Sequence, residues 1–153
     1  NGCPECGSDI SLVSFRPQFF SQNQDTTKII NNLGFNNNSG YKDYEKTGPY
    51  KLNKYNLNAV PISTIEYKGE DIYLCDISVG LGYEHSGKTW QKILINTFKT
   101  YKKHDKPLVV IFHSWFTGNK SNKERWKAFV NFLDFLQKQN VKFMNTNNLT
   151  FEL

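Results

Sequence analysis

The chain has 153 residues, 38% of them hydrophobic and 15% aromatic, and a net charge of +5 from 19 basic and 14 acidic side chains. That length suits one domain with a real core, and no apolar run approaches the roughly 20 residues that span a bilayer. The basic excess is nearly all lysine and is scattered apart from Lys102-Lys103; nucleic-acid readers cluster Arg with Lys, so the charge reads as solvated surface and no nucleic-acid partner is expected.

No secretory leader pattern opens the chain, and Asn1 in first place points to a processed, excised or incomplete polypeptide. Cys3-Pro4-Glu5-Cys6-Gly7 looks like half of a zinc ribbon, but a ribbon needs a second pair and only Cys75 remains. A local Cys3–Cys6 link, or two free thiols, is the plainer reading. Residues 11–15 (SLVSF) predict a short strand, and Pro17 turns the chain out of it by biasing Arg16 away from the helical region. Asn23 or Asp25 then caps a short helix carrying Ile29, Ile30 and Leu33, with Gly34 as its stop. Residues 35–39 predict a short strand. Asparagine is abundant and reads as compositional bias. From Gly40 to Asn58 no period is visible, which predicts a long loop.

Residues 59–65 (AVPISTI) alternate and predict a strand, with Pro61 placing it near an edge or bulge. A turn at Lys68-Gly69 leads to a further strand over 72–77. Ser86 caps a helix whose Trp90, Ile93, Leu94, Thr97, Phe98 and Tyr101 share one face. Its basic last turn suits the helix dipole, and His104 beyond it is an exposed end residue. Leu108–Phe112 is apolar throughout and predicts a strand buried on both faces. Ser121 and Glu124 match a capping box ahead of a second amphipathic helix carrying Trp126, Phe129, Val130, Leu133 and Leu136. Residues 141–144 predict a last strand, and 149–153 an apolar tail. This helix–strand–helix–strand order implies parallel crossover units in an α/β fold, without an internal repeat or a domain boundary.

His113, Ser114 and Trp115 follow directly on strand 108–112. In α/β folds ligands bind beyond the carboxyl ends of the strands. A histidine there can act as general acid or base, or merely hold a loop. Arg16 also follows a strand, so in a parallel sheet it shares that face with His113; a structural salt bridge is its plainer role. Trp115 is off-period in a loop and suits a sugar-stacking platform. Trp90 and Trp126 fall at core spacing. Asp76 ends a strand, and its structural and functional readings weigh equally. The three histidines show no metal-ligand spacing, and Ser114 lacks the flanking glycines of a nucleophile elbow.

Together these stretches resemble the polysaccharide deacetylases, the metal-dependent family four carbohydrate esterases. Residues 14–41 (SFRPQFFSQNQDTTKIINNLGFNNNSGY) resemble the family's third motif, residues 59–65 the segment where the chain re-enters the barrel, and residues 107–115 (PLVVIFHSW) the fifth motif with its catalytic histidine. The resemblance covers about 12–149. It implies the C-terminal part of a distorted (β/α) barrel of parallel strands and crossover helices. It also implies an activity: removal of acetyl groups from a polysaccharide of chitin, peptidoglycan or xylan type. His113 would be the general acid, Arg16 would orient the base aspartate, the backbone N–H of Phe19 would bind the oxyanion, and Trp115 would line the acetyl or sugar pocket.

The chain departs from the family in three places. Arg16-Pro17-Gln18-Phe19 lacks a proline and has Phe where the family has Tyr; the fourth motif, an Asp with a Trp, has no clear match beyond Asp76; and the first two motifs, which carry the base and the metal ligands, are not present. The implied cofactor, a divalent metal that is usually zinc, would therefore have its ligands outside this chain. An extracellular or cell-envelope location follows from the resemblance alone. The competing expectation is a non-catalytic remnant that binds glycan or a partner through the same face. A third, a nucleic-acid module using Cys3–Cys6, would show steeply salt-dependent binding.

Overall fold

The computed structural model describes residues 13–45, 48–119, 121–146 and 149; Cys3, Cys6 and the apolar tail expected over 149–153, Leu149 apart, lie outside them. The chain divides into two compact units, residues 1–41 with 49–60 and 144–153, and residues 42–48 with 61–143. Both mix helix with strand, and parallel and antiparallel pairing both occur. No helix among the described residues is long and apolar enough to cross a membrane.

In the first unit β1 (Ser14–Phe15), β2 (Asn37–Asn38) and β5 (Leu57–Ala59) run parallel, and β4 (Tyr50–Leu52) closes the sheet antiparallel to β5. Helix α1 (Gln24–Asn32) makes the crossover from β1 to β2. Asn23, rather than Asp25, caps it in a reciprocal capping box with Thr26, and Gly34 ends it at φ +82°. The asparagines are more than compositional bias. Asn37 and Asn38 are buried, and side-chain amides run across the sheet from Asn58 to Asn37 (3.2 Å) and from Asn37 to the Ser14 hydroxyl (3.2 Å). These bonds follow the pairing register Ser14–Asn37–Asn58.

In the second unit β3 (Lys42–Asp43) runs parallel to β6 (Ile62–Tyr67), which forms a hairpin with β7 (Glu70–Tyr73). The stretch 40–58 is therefore not one long loop. Its strands are two or three residues long, too short for a period to show. Pro61 falls between β5 and β6, where it costs neither strand a hydrogen bond. After β7 the chain passes through Cys75 and a π-helical turn (Ser78–Gly82) into α2 (Gly87–Lys103), capped by Ser86. The buried side of α2 is the expected one, from Trp90 through Tyr101.

The segment 107–112 lies parallel to residues 74–76. Ile111 N–H donates to Leu74 O (2.9 Å), Asp76 N–H to Ile111 O (3.2 Å) and Ser63 N–H to Val109 O (3.0 Å). Only Ile111 of this segment is buried; Leu108, Val109, Val110 and Phe112 are half-buried. The expected strand buried on both faces is instead an extended segment bonded along one edge.

Helix α3 (Lys123–Gln137) packs on α2. Its cap is Asn122 rather than Ser121, and the Asn122 side chain makes no capping bond but donates to Phe116 O (3.5 Å). Arg125, Ala128, Phe132 and Leu136 are its buried residues, while Trp126 is 50% exposed, so the core stripe runs one residue off the expected one until it meets it at Leu136. Residues 141–144 form no strand: their backbone makes no ladder bond among the described residues, and Phe143 and Met144 are exposed.

Candidate functional site

The second unit brings Asp76, His113 and Trp115 together. Asp76 ends one of two neighbouring parallel segments and His113 follows the other, so both leave the sheet at its carboxyl-end side. Asp76 is fully buried. Its Oδ1 accepts from Ile77 N–H (2.8 Å) and lies 2.6 Å from His113 Nδ1; its Oδ2 accepts from His113 N–H (2.9 Å) and from the Thr117 hydroxyl. Three donors, Ile77 N–H, His113 N–H and the Thr117 hydroxyl, occupy Asp76, and a carboxylate keeps a further acceptor site at Oδ1 for His113 Nδ1. With Nδ1 as the donor of that bond, Nε2 is the ring nitrogen that does not face Asp76. The His113 side chain is 32% exposed, so the ring is held from behind and open in front.

The turn after His113 is short for a reason. Phe116 and Thr117 N–H both bond back to His113 O (3.0 and 2.9 Å), which returns Thr117 to Asp76. Gly118 lies so close to the Ser114 carbonyl that a Cβ would collide with it. Trp115 projects from this turn, 62% exposed, with its ring edge-on to His113 at 5.8 Å between centroids.

Arg125 enters the same neighbourhood from α3. Its Nη2 donates to His85 O (2.6 Å), and its guanidinium lies over Phe116, 5.1 Å from the ring centroid. Burial pulls the guanidinium below its ordinary pKa; Asp76, then Glu124, act in the opposite direction. Thr117 and Arg125 carried no sequence signal of a site, beyond Arg125 being one of two arginines in a lysine-rich chain.

Arg16 and Phe19 belong to the first unit. Arg16 is exposed, with Nε donating to the Ser39 hydroxyl (3.0 Å). Phe19 is 88% exposed and, with Phe20, sits at left-handed φ (55° and 57°) in a 3-10 turn. Two cavities also belong to that unit: one of about 370 Å³ lined by Asn36, Asn37, Asn58 and Lys51, and one of about 280 Å³ lined by Tyr41 and Tyr55. None of Arg16, Phe19, His113 and Trp115 lines either. His104 is the exposed C-terminal cap of α2, and His85 packs against the Tyr67 and Tyr83 rings.

Cys75, Asp76 and His113 bring one possible ligand atom each within 4.8 Å of one another, the one such cluster among the described residues. Cys75 is a buried free thiol. A cation there would have to displace the donors that already occupy Asp76, so the trio fits a hydrogen-bonded pair better than a metal centre. In comparisons with protein-family models, curated proteins and solved structures, nothing matches this chain.

Proposed function

We propose that the chain is the C-terminal part of a distorted (β/α) barrel of the polysaccharide deacetylase type, and that it serves a hydrolase removing acetyl groups from a polysaccharide. The observation that carries this reading is the Asp76–His113 pair at the carboxyl ends of neighbouring parallel segments. It sets Asp76, the one residue offered for the fourth motif, beside the histidine compared with the fifth. Asp76 holds the Nδ1 proton and offsets the charge of the imidazolium. His113 Nε2 then delivers its proton to the departing amine or alcohol. Trp115 offers an exposed aromatic face to a sugar ring at the same turn.

Arg16 as orienting group for the base and Phe19 N–H as oxyanion donor rest on the resemblance. The base, and a divalent metal of which zinc is the usual one, would come from residues outside this chain. The acetylated polysaccharide is the expected partner, at the cell envelope or outside the cell.

The test is acetate release by the native polypeptide from chitin oligosaccharides, acetylated xylan and peptidoglycan fragments. Release from one of these is expected, with His113→Ala lowering it at least about 100-fold, the scale of a lost general acid. Glycan retention without acetate release would replace hydrolysis by the binding-remnant reading. Equal turnover by His113→Ala would refute the assignment of the acid.

A further inference from the structure

The buried stripe of α3 opens with a cation. Arg125 is 8% exposed and shares that stripe with Ala128, Phe132 and Leu136. A guanidinium taken out of water needs compensation. Its local contacts supply part: the His85 carbonyl, the Phe116 ring, and Gly80, where a Cβ would stand 2.5 Å from Cζ. Nη1 has no hydrogen-bond partner among the described residues. Contacts to one carbonyl and one ring leave most of the charge unanswered.

The two segments against this guanidinium are the two that enclose Asp76. Gly80 lies in the turn that starts just after Asp76, and Val79 N–H bonds back to Cys75 O (3.0 Å). Phe116 lies between His113 and Thr117, both of which donate to Asp76. We propose that Arg125 is a positioning residue for the Asp76–His113 pair: wedged between Gly80 and Phe116, it holds the two segments that enclose Asp76 and so keeps His113 Nδ1 directed at that side chain. The catalytic meaning of this rests on the acid role proposed for His113. Asp76 and Glu124 are the charged groups facing Arg125, and Cys75 and His113 are the titratable groups facing Asp76. Arginine suits the place because it is flat enough to lie between Gly80 and Phe116 while its fork reaches the His85 carbonyl; lysine carries the charge without that geometry.

The test reads the pair directly, by proton NMR of the 153-residue chain at low temperature with labelled histidine. An Nδ1–H in a 2.6 Å bond to a carboxylate resonates far downfield of the amide protons. Asp76→Asn and His113→Ala assign the signal. It should be present in the parent and shifted or lost in both Arg125→Lys and Arg125→Met, with thermal unfolding recorded on each. A folded Arg125→Met with an unchanged resonance would make Arg125 a packing residue only, and overturn the proposal. Absence of the resonance from the parent would overturn it too. Should Arg125→Met fail to fold, Gly80→Ala decides, because its methyl group displaces the guanidinium while the chain keeps the charge. A shifted or lost resonance supports the proposal and an unchanged one refutes it. No substrate enters this measurement. A resonance that depends on Arg125 in a protein that releases no acetate would leave this inference standing and remove the deacetylase reading; an active protein with an Arg125-independent resonance would do the reverse.

Discussion

Asp76→Asn is the substitution whose cost the geometry sets most directly. A carboxylate offers acceptors on both oxygens, and Asp76 uses them for Ile77 N–H, the His113 ring, His113 N–H and the Thr117 hydroxyl. An amide has one oxygen. With that oxygen in the Oδ1 place, the bonds from Ile77 and the His113 ring survive, but they lose the charge that roughly doubles such bonds. The NH₂ then faces His113 N–H and Thr117 O–H. The hydroxyl can rotate to accept; the backbone N–H cannot, and a buried donor left unpaired costs about 1–3 kcal/mol. Relief from burying a charge offsets part of this. The expected loss is about 2–4 kcal/mol, a large share of the 5–15 kcal/mol that is typical of a domain. Urea unfolding at unchanged slope measures it. A loss below about 0.5 kcal/mol would mean that the donors do not converge on Asp76, and the site as described would fall with it.

Three further outcomes follow from the structure. Trp115→Ala should leave unfolding within about 0.5 kcal/mol, since an exposed ring contributes little to the core, while raising KM for the glycan; an unfolded variant would show that Trp115 is a packing residue. Tyr101→Phe should cost about 1–3 kcal/mol by equilibrium unfolding, because its hydroxyl donates to Asp43 Oδ2 (2.8 Å) and accepts from Thr64 N–H (3.0 Å); a neutral effect would mean that water replaces it. Burial, with Asp43 adding, pushes the Tyr101 hydroxyl up to about 12, against about 10 in an unfolded chain. A group whose folded pKa is raised stabilises fully below its unfolded value and loses that stabilisation as pH rises through the folded one. The parent should therefore lose up to about 2–3 kcal/mol more than Tyr101→Phe between about pH 10 and 12, and parallel pH profiles of the two would exclude it.

How much of this was legible in the sequence depended on the length of the element. The α2 face from Trp90 to Tyr101 holds a consistent spacing over about three turns, and each of its expected residues is buried. Strands of two or three residues cannot display a period, so β3, β4 and β5 were hidden within a stretch that read as loop. In α3 the aromatic Trp126 suggested a stripe that the fold rejects, because Arg125, a residue that pattern reading assigns to solvent, takes the buried position beside it. Composition misled in the same way at Asn37 and Asn38, whose buried amides are bonded, Asn37 across the sheet to Ser14 and Asn38 to Gln22, rather than spread over a surface.

The site shows the same division between local and non-local information. His113 and Trp115 were visible because their meaning lies in the segment that precedes them. Asp76 stayed ambiguous because what distinguishes it from any strand-end carboxylate is its set of partners. Two of these, His113 and Thr117, lie 37 and 41 residues away. A single sequence records neither separation nor direction for such a pair; the parallel pairing of Cys75 with Ile111 supplies both. Arg125 is a further step removed, since its relation to His113 passes through Asp76. The nearer a residue's partners lie in the chain, the more of its place could be read from its immediate neighbours. The groups that hold His113 come from elsewhere in the chain, and only the fold reveals them.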